Sequence, residues 1–247
     1  MVVHRAARRA IVERSPGARS QGKRDVSERL QLYSYWRSSA AYRVRIGLNL
    51  KGLPYETIPV HLVRDGGEQH AEAFGAINPQ RLVPILKHGN RQLRQSLAIL
   101  EYLDETWPTP ALLPSPARER QRVRAIAQTV ACDIHPLNNL RVMQYFENTW
   151  RVPQSERDEW VRHWIVEGFQ ALEAMLVDHP ATGMFCVGDT PTLADCSLVP
   201  QVYNARRYGV AMATYPAIER IERACLALPA FDAARPERQP DCPAPAA

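Results

Sequence analysis

The sequence has no run approaching the ~18 consecutive apolar residues that a membrane span requires, and it lacks the apolar core of a secretory signal. There is no Cys-x-x-Cys pair and no His/Cys/carboxylate spacing suited to zinc, so no metal is implied. Internal repeats are also missing. Nor does the body of the chain carry charge of one sign. Of the formal +5, a net of +4 falls in residues 1–28, where seven Arg/Lys face three Asp/Glu; the rest holds 24 basic against 23 acidic groups. A nearly neutral body argues against a nucleic-acid partner, which needs a basic footprint. The five cysteines (Cys132, Cys186, Cys196, Cys225 and Cys242) are an odd number without a secretory signal. That combination implies free thiols in a reducing cytoplasm, each read as a small buried hydrophobe.

What is present divides unevenly along the 247 residues. Residues 1–28 have few large apolar side chains, several arginines and the Pro16-Gly17 pair. They cannot bury enough surface to offset their ordering entropy, so they read as a disordered basic tail. A transit peptide is only a loose match, because Glu13 and Asp25 interrupt its acid-poor pattern; a natural start near Val26 is the other reading. From 29 to 108 strand and helix patterns alternate: strand Leu30–Tyr35, helix Ala40–Lys51, strand Glu56–Val60, helix Gln69–Ala76, a hairpin of 83–86 with 91–94, then a helix N-capped by Ser96 and running to Thr106. The order is βαβαββα. A Pro-rich linker at 109–116 leads into an all-helical region, 117–241, with helices over 117–146, 155–177, 192–208 and 216–227, and a short tail at 242–247. The class is α+β.

The most informative stretch is Ser34–Ile46, where a strand gives way to a helix across Arg37-Ser38-Ser39. The first amides of a helix are unsatisfied and carry partial positive charge, so this end attracts anions. A thiolate held by Ser38 or Ser39 would be stabilised there.

A βαβαββα unit with X-Pro before its third strand, joined to a helical region with the capping box Thr192-Leu-Ala-Asp195, resembles the glutathione transferase fold, whose N-terminal domain is thioredoxin-like. Four motifs narrow the resemblance: Arg37–Ile46, Asn78–Pro84, Gln95–Ile99 and Leu198–Val202. Together they are similar to the zeta class, glutathione-dependent maleylacetoacetate isomerases with maleylpyruvate isomerases as near relatives. The likeness runs from about Leu30 to Asp241. One position departs from it: Ala40 stands where the class usually has cysteine.

The resemblance implies glutathione as cofactor. By it, Val83 and a cis Pro84 pair with the cysteinyl backbone of glutathione, Gln95 and Ser96 take the γ-glutamyl carboxylate, and Gln69 takes the other end. His135 and Asn139, four apart and so on one helix face, reach in from the helical domain. Ser38 is the hydroxyl closest to the thiol and Ser39 a further ligand. Arg37 and Arg207 clamp a small dicarboxylate substrate, as a planar guanidinium suits, whereas Arg206, Arg43 and Arg45 read as surface charges. The implied reaction is isomerisation of maleylacetoacetate to fumarylacetoacetate by reversible thiolate addition. Maleylpyruvate, small α-haloacids and a non-enzymatic interaction module are the alternatives. A homodimer, a cytoplasmic location and a place in tyrosine or gentisate breakdown are also implied.

Overall fold

The computed structural model describes residues 29–244. The tail expected at 1–28 lies outside the described residues, as do residues 245–247. Strand β1 (Leu30–Ser34) alternates buried Leu30, Leu32 and Ser34 with half-buried Gln31 and Tyr33, the period of two that a sheet imposes. It pairs in parallel with β2 (Tyr55–Pro59) and antiparallel with β3 (Ile85–His88), which pairs with β4 (Arg91–Arg94). The sheet order is β2-β1-β3-β4.

Helices α1 (Ser39–Leu50) and α3 (Ser96–Thr106) cover one face, burying Leu32, Val44, Leu48, Leu86, Ile99 and Leu103 together. They approach closely because position 47 is glycine: a Cβ there would collide with Leu100. On the other face Phe74 of α2 (Glu72–Ile77) packs with Tyr35, Val60, Val83 and Ile85. The helix expected over Gln69–Ala76 is thus split, with a 3-10 turn at Glu68–His70 before α2. Ser96 is the first residue of α3, not its cap. Gln95 holds that place at φ 68° and its side chain makes no capping bond to the helix.

Beyond residue 116 the described residues form helices α4 (Ala117–Gln128), α5 (Leu140–Asn148), α6 (Gln154–Leu176), α7 (Leu193–Arg207), α8 (Pro216–Leu226) and α9 (Pro229–Ala234). The single helix expected over 117–146 is broken. It ends at Gln128, passes through a π-helical turn (Thr129–Ile134) and a 3-10 turn (His135–Asn138), and restarts when the Asn139 side chain caps α5. Pro136 explains the break, since it lacks an N–H and disfavours the α conformation at the residue before it. Ile134 closes this corner against Gly168 of α6, where no Cβ would fit.

The capping box at α7 forms as expected. Asp195 is fully buried and accepts from the Thr192 amide (2.7 Å), the Thr192 hydroxyl (2.8 Å) and the Cys186 amide (2.8 Å). Helix α9, which sequence patterning does not mark, packs on α1, and the segment after it reaches the turn between β1 and α1. The Asn49 amide donates to Ala230 O (2.9 Å) and Trp36 N–H to the Asp241 carboxylate (2.8 Å). All five cysteines are free. Cys186, Cys196 and Cys225 are buried as expected, but Cys132 is exposed and Cys242 only half-buried. No helix among the described residues is long and apolar enough to cross a membrane, and no cluster of three or more His, Cys, Asp or Glu among them could hold a metal.

Candidate active site

The C-terminal end of β1 and the start of α1 open onto a cleft of about 430 Å³ walled on its far side by the 135–144 corner and α7. The turn between them is fixed from below. Arg45, fully buried, donates to Ser34 Oγ (3.1 Å), Trp36 O (3.0 Å), Tyr35 O (3.4 Å) and Ala234 O (2.9 Å). The Ser38 amide donates to Tyr35 O at 2.9 Å. Arg43 and Arg45 are therefore not surface charges. Both are buried, among the largest fully enclosed side chains described, because α1 lies between the sheet, α7 and α9.

Arg37, Ser38, Ser39 and Ala40 all line the cleft. Ser38 is the N-cap of α1, its Oγ accepting the Ala41 amide at 3.2 Å. Capping uses an oxygen lone pair, so the hydroxyl hydrogen stays free to donate. Gln69 is buried at the rim. Its Nε2 donates to Leu62 O (3.1 Å) and its Oε1 has no partner. Val83 lines the cleft with Pro84 buried behind it, joined by a cis bond as expected, and the β1–β3 ladder stops at Ile85, leaving Val83 outside the pairing. Gln95 and Ser96 do not line this cleft. Gln95 is exposed and bonds Gln80 (3.1 Å), which does line it, while buried Ser96 accepts from Arg43 Nη1 at 3.1 Å.

His135 and Asn139 both reach the cleft, though from the 3-10 turn and the α5 cap and not from one helix face. Desolvation first, then the charges of Arg43 and Arg141, push the His135 imidazole down to about 3. An unfolded histidine titrates near ~6.5, so between these values the unfolded chain binds a proton that the folded one does not. The contribution to stability is complete above pH ~6.5 and falls as pH drops toward 3. We expect the melting temperature to fall from pH 7 to pH 5 and His135→Gln to flatten that slope. An NMR titration of folded protein with His135 changing charge near pH 6.5 would contradict this.

Charge in the cleft is predominantly positive. Arg157 is engaged by Glu147 (3.2 Å) and Gln154 (2.5 Å), and Arg81 by the carbonyls of His70 and Ala71. Arg37, Arg141 and Arg207 line the same cleft and have no carboxylate partner among the described residues. Arg37 lies over the Trp36 ring (5.4 Å) and Arg207 over Tyr208 (4.9 Å). Arg206 turns away to Glu222 (2.5 Å) and Glu219 (3.5 Å), as expected of a neighbour on the same helix. Arg141 was not evident from sequence. It reaches the cleft only because the helix restarts at Asn139, a break that Pro136 and the Asn cap could have signalled. Three unpaired guanidinium groups beside a serine-capped helix start can hold a small dianion next to a thiolate.

Residues 32–111 match the family model for the glutathione S-transferase N-terminal domain, and residues 154–236 that for its C-terminal domain. A probable maleylacetoacetate isomerase of Vibrio cholerae is 54% identical over 212 residues, covering 86% of this chain and 98% of that protein. A maleylpyruvate isomerase of a Ralstonia species is 51% identical, covering 86% and 99%. Among solved structures, a holo maleylpyruvate isomerase, a bacterial zeta-class glutathione S-transferase, superposes with a TM-score of 0.84 at 50% identity, covering 86% of this chain and all of that one. A maleylacetoacetate isomerase of Methylobacterium extorquens with bound malonate and glutathione gives 0.83 at 44%, covering 87% and 100%.

Proposed function

The chain belongs to the glutathione S-transferase family, and from that premise we propose that it is a zeta-class, glutathione-dependent cis–trans isomerase acting on maleylacetoacetate. The observation that carries this reading is the meeting of Ser38 and Ser39 at the start of α1 with the unpaired arginines Arg37, Arg141 and Arg207 in one cleft. The residues present fit glutathione. The orphaned Gln69 Oε1, the unladdered Val83 backbone and the uncapped start of α3 are groups that a flexible peptide with two carboxylates and an amine can satisfy.

When bound, glutathione supplies a thiolate that adds reversibly to the conjugated cis double bond. A free thiol titrates near ~8.5 and is mostly protonated at neutral pH, so the protein must favour its anion. The Ser38 hydroxyl and the amides of α1 do this, with Ser39 beside them. Val83 and Gln69 hold the peptide backbone, Gln95 and Ser96 the γ-glutamyl carboxylate, and His135 and Asn139 close the site from the helical side. Arg37 and Arg207, with Arg141, hold the substrate carboxylates and meet the negative charge that moves onto the substrate carbonyl. No step needs a protein thiol, so Ala40 is compatible with activity.

Residues 29–108 then serve as the glutathione-binding domain and 117–241 as the substrate domain of a cytoplasmic homodimer in aromatic catabolism. Maleylpyruvate is the second substrate reading, favoured by the 51% identity to a relative of that activity. An interaction module has no use for three unpaired arginines in one cleft. Arg207→Ala is expected to raise the substrate KM about 30-fold, the order of ~2 kcal/mol for removing one partner of a desolvated charge pair, with glutathione affinity nearly unchanged. Steady-state kinetics check this, and an unchanged KM removes Arg207 from the site.

A further inference from the structure

Arg43 lies in the second turn of α1, only 2% exposed. No carboxylate pairs with it among the described residues. Its one side-chain hydrogen bond among the described residues runs from Nη1 to Ser96 Oγ at 3.1 Å, and its Nε and Nη2 are buried without partners there. Burial lowers its pKa to about 10. An enclosed guanidinium with a single neutral acceptor is costly, and such a cost needs a compensating partner. The acceptor itself points to one. Ser96 opens α3, an eleven-residue helix whose first turn has no side-chain cap. A hydroxyl that accepts from a cation becomes a stronger donor, and its own hydrogen must point elsewhere. The free amides of the α3 start add to it.

We propose that Arg43 is a positioning residue for glutathione: through the Ser96 hydroxyl it strengthens the grip on the γ-glutamyl α-carboxylate, whose negative charge balances its own, without touching the reacting atoms. The proposal rests on the glutathione reading above and extends it to a side chain enclosed beneath the site.

The test is calorimetric binding of two ligands to the full chain: glutathione, and the analogue 4-aminobutyryl-cysteinyl-glycine, which lacks only that carboxylate. Arg43→Met should weaken glutathione about 30-fold and leave the analogue within about twofold of the parent protein. Arg43→Lys, which keeps the charge, should recover most of the loss. Ser96→Ala should show the same selectivity and add little when combined with Arg43→Met, since both act on one contact. Equal weakening of both ligands, or unchanged glutathione affinity, overturns the proposal. If Arg43→Met does not fold, Arg43→Lys and Ser96→Ala decide it by the same comparison. Failure of the parent protein to bind glutathione would instead overturn the reading beneath it, and would be seen before any variant is made.

Discussion

Ser38→Ala lowers kcat/KM for isomerisation at pH 7 by about 10²-fold, the scale of losing one donor to a developing anion, and regains part of the loss at higher pH. On the proposed reading the hydroxyl acts twice. Its oxygen caps α1 through the Ala41 amide at 3.2 Å, and its hydrogen, which capping does not use, would donate to the glutathione sulfur. Losing the cap costs about 1 kcal/mol of stability, too little to unfold a domain of this size. Losing the donor raises the pKa of the bound thiol toward its free value of ~8.5, so the rising limb of the pH–rate profile moves up by about one unit while the amides of α1 remain in place. A pH series on parent and variant checks both points. A loss within twofold at Ser38, with the large loss appearing instead in Ser39→Ala, would transfer the role to Ser39, the first helical residue and also in the cleft.

Arg45→Met destabilises the fold by about 3 kcal/mol and lowers the melting temperature by roughly 9 °C. Four acceptors lose the bond from Arg45 at once: Ser34 Oγ, Trp36 O, Ala234 O and Tyr35 O, the last of which keeps the Ser38 amide. Bonds from a charged donor are worth ~1.5–3 kcal/mol each, and relief of the guanidinium's own desolvation returns part of that. The turn that carries Arg37 and Ser38 loses its anchor with them, so we expect kcat to fall about tenfold as well. Two residues away Arg43, with only one acceptor, behaves in the opposite way. Arg43→Met removes an uncompensated buried charge and leaves unliganded stability unchanged or higher. Thermal denaturation of the two variants side by side separates them, and an unaltered melting temperature for Arg45→Met would contradict the anchoring role.

The same pair marks how far local pattern reaches in this sequence. The βαβαββα order, the serine-capped start of α1, the Thr192–Asp195 box and the cis bond at Pro84 were legible, because each is set by local pattern or by motif. Arg43 and Arg45 were not. An Arg-x-Arg step on a short helix reads as a solvated face, and what buries it comes from far along the chain: Ser96 is 53 residues from Arg43, and Ala234 is 189 from Arg45. The same limit hides α9, a six-residue helix that begins at Pro229 and forms against α1. Arg141 was hidden differently. Periodicity carried a helix through Pro136, so the residue that begins the next helix looked like one of many on a continuous surface. Local pattern makes Ser96 the cap of α3, whereas it is the first helical residue, and its hydroxyl receives Arg43 in place of capping its own amides.

The most direct measurement is the rate at which the purified protein isomerises maleylacetoacetate with and without glutathione, beside the same assay on maleylpyruvate. Fast turnover that requires glutathione is the predicted result, with maleylacetoacetate preferred and Ala40 no obstacle. Turnover at the same rate without glutathione, or none on either acid by folded protein that binds glutathione, would contradict the assignment of this cleft as an isomerase site.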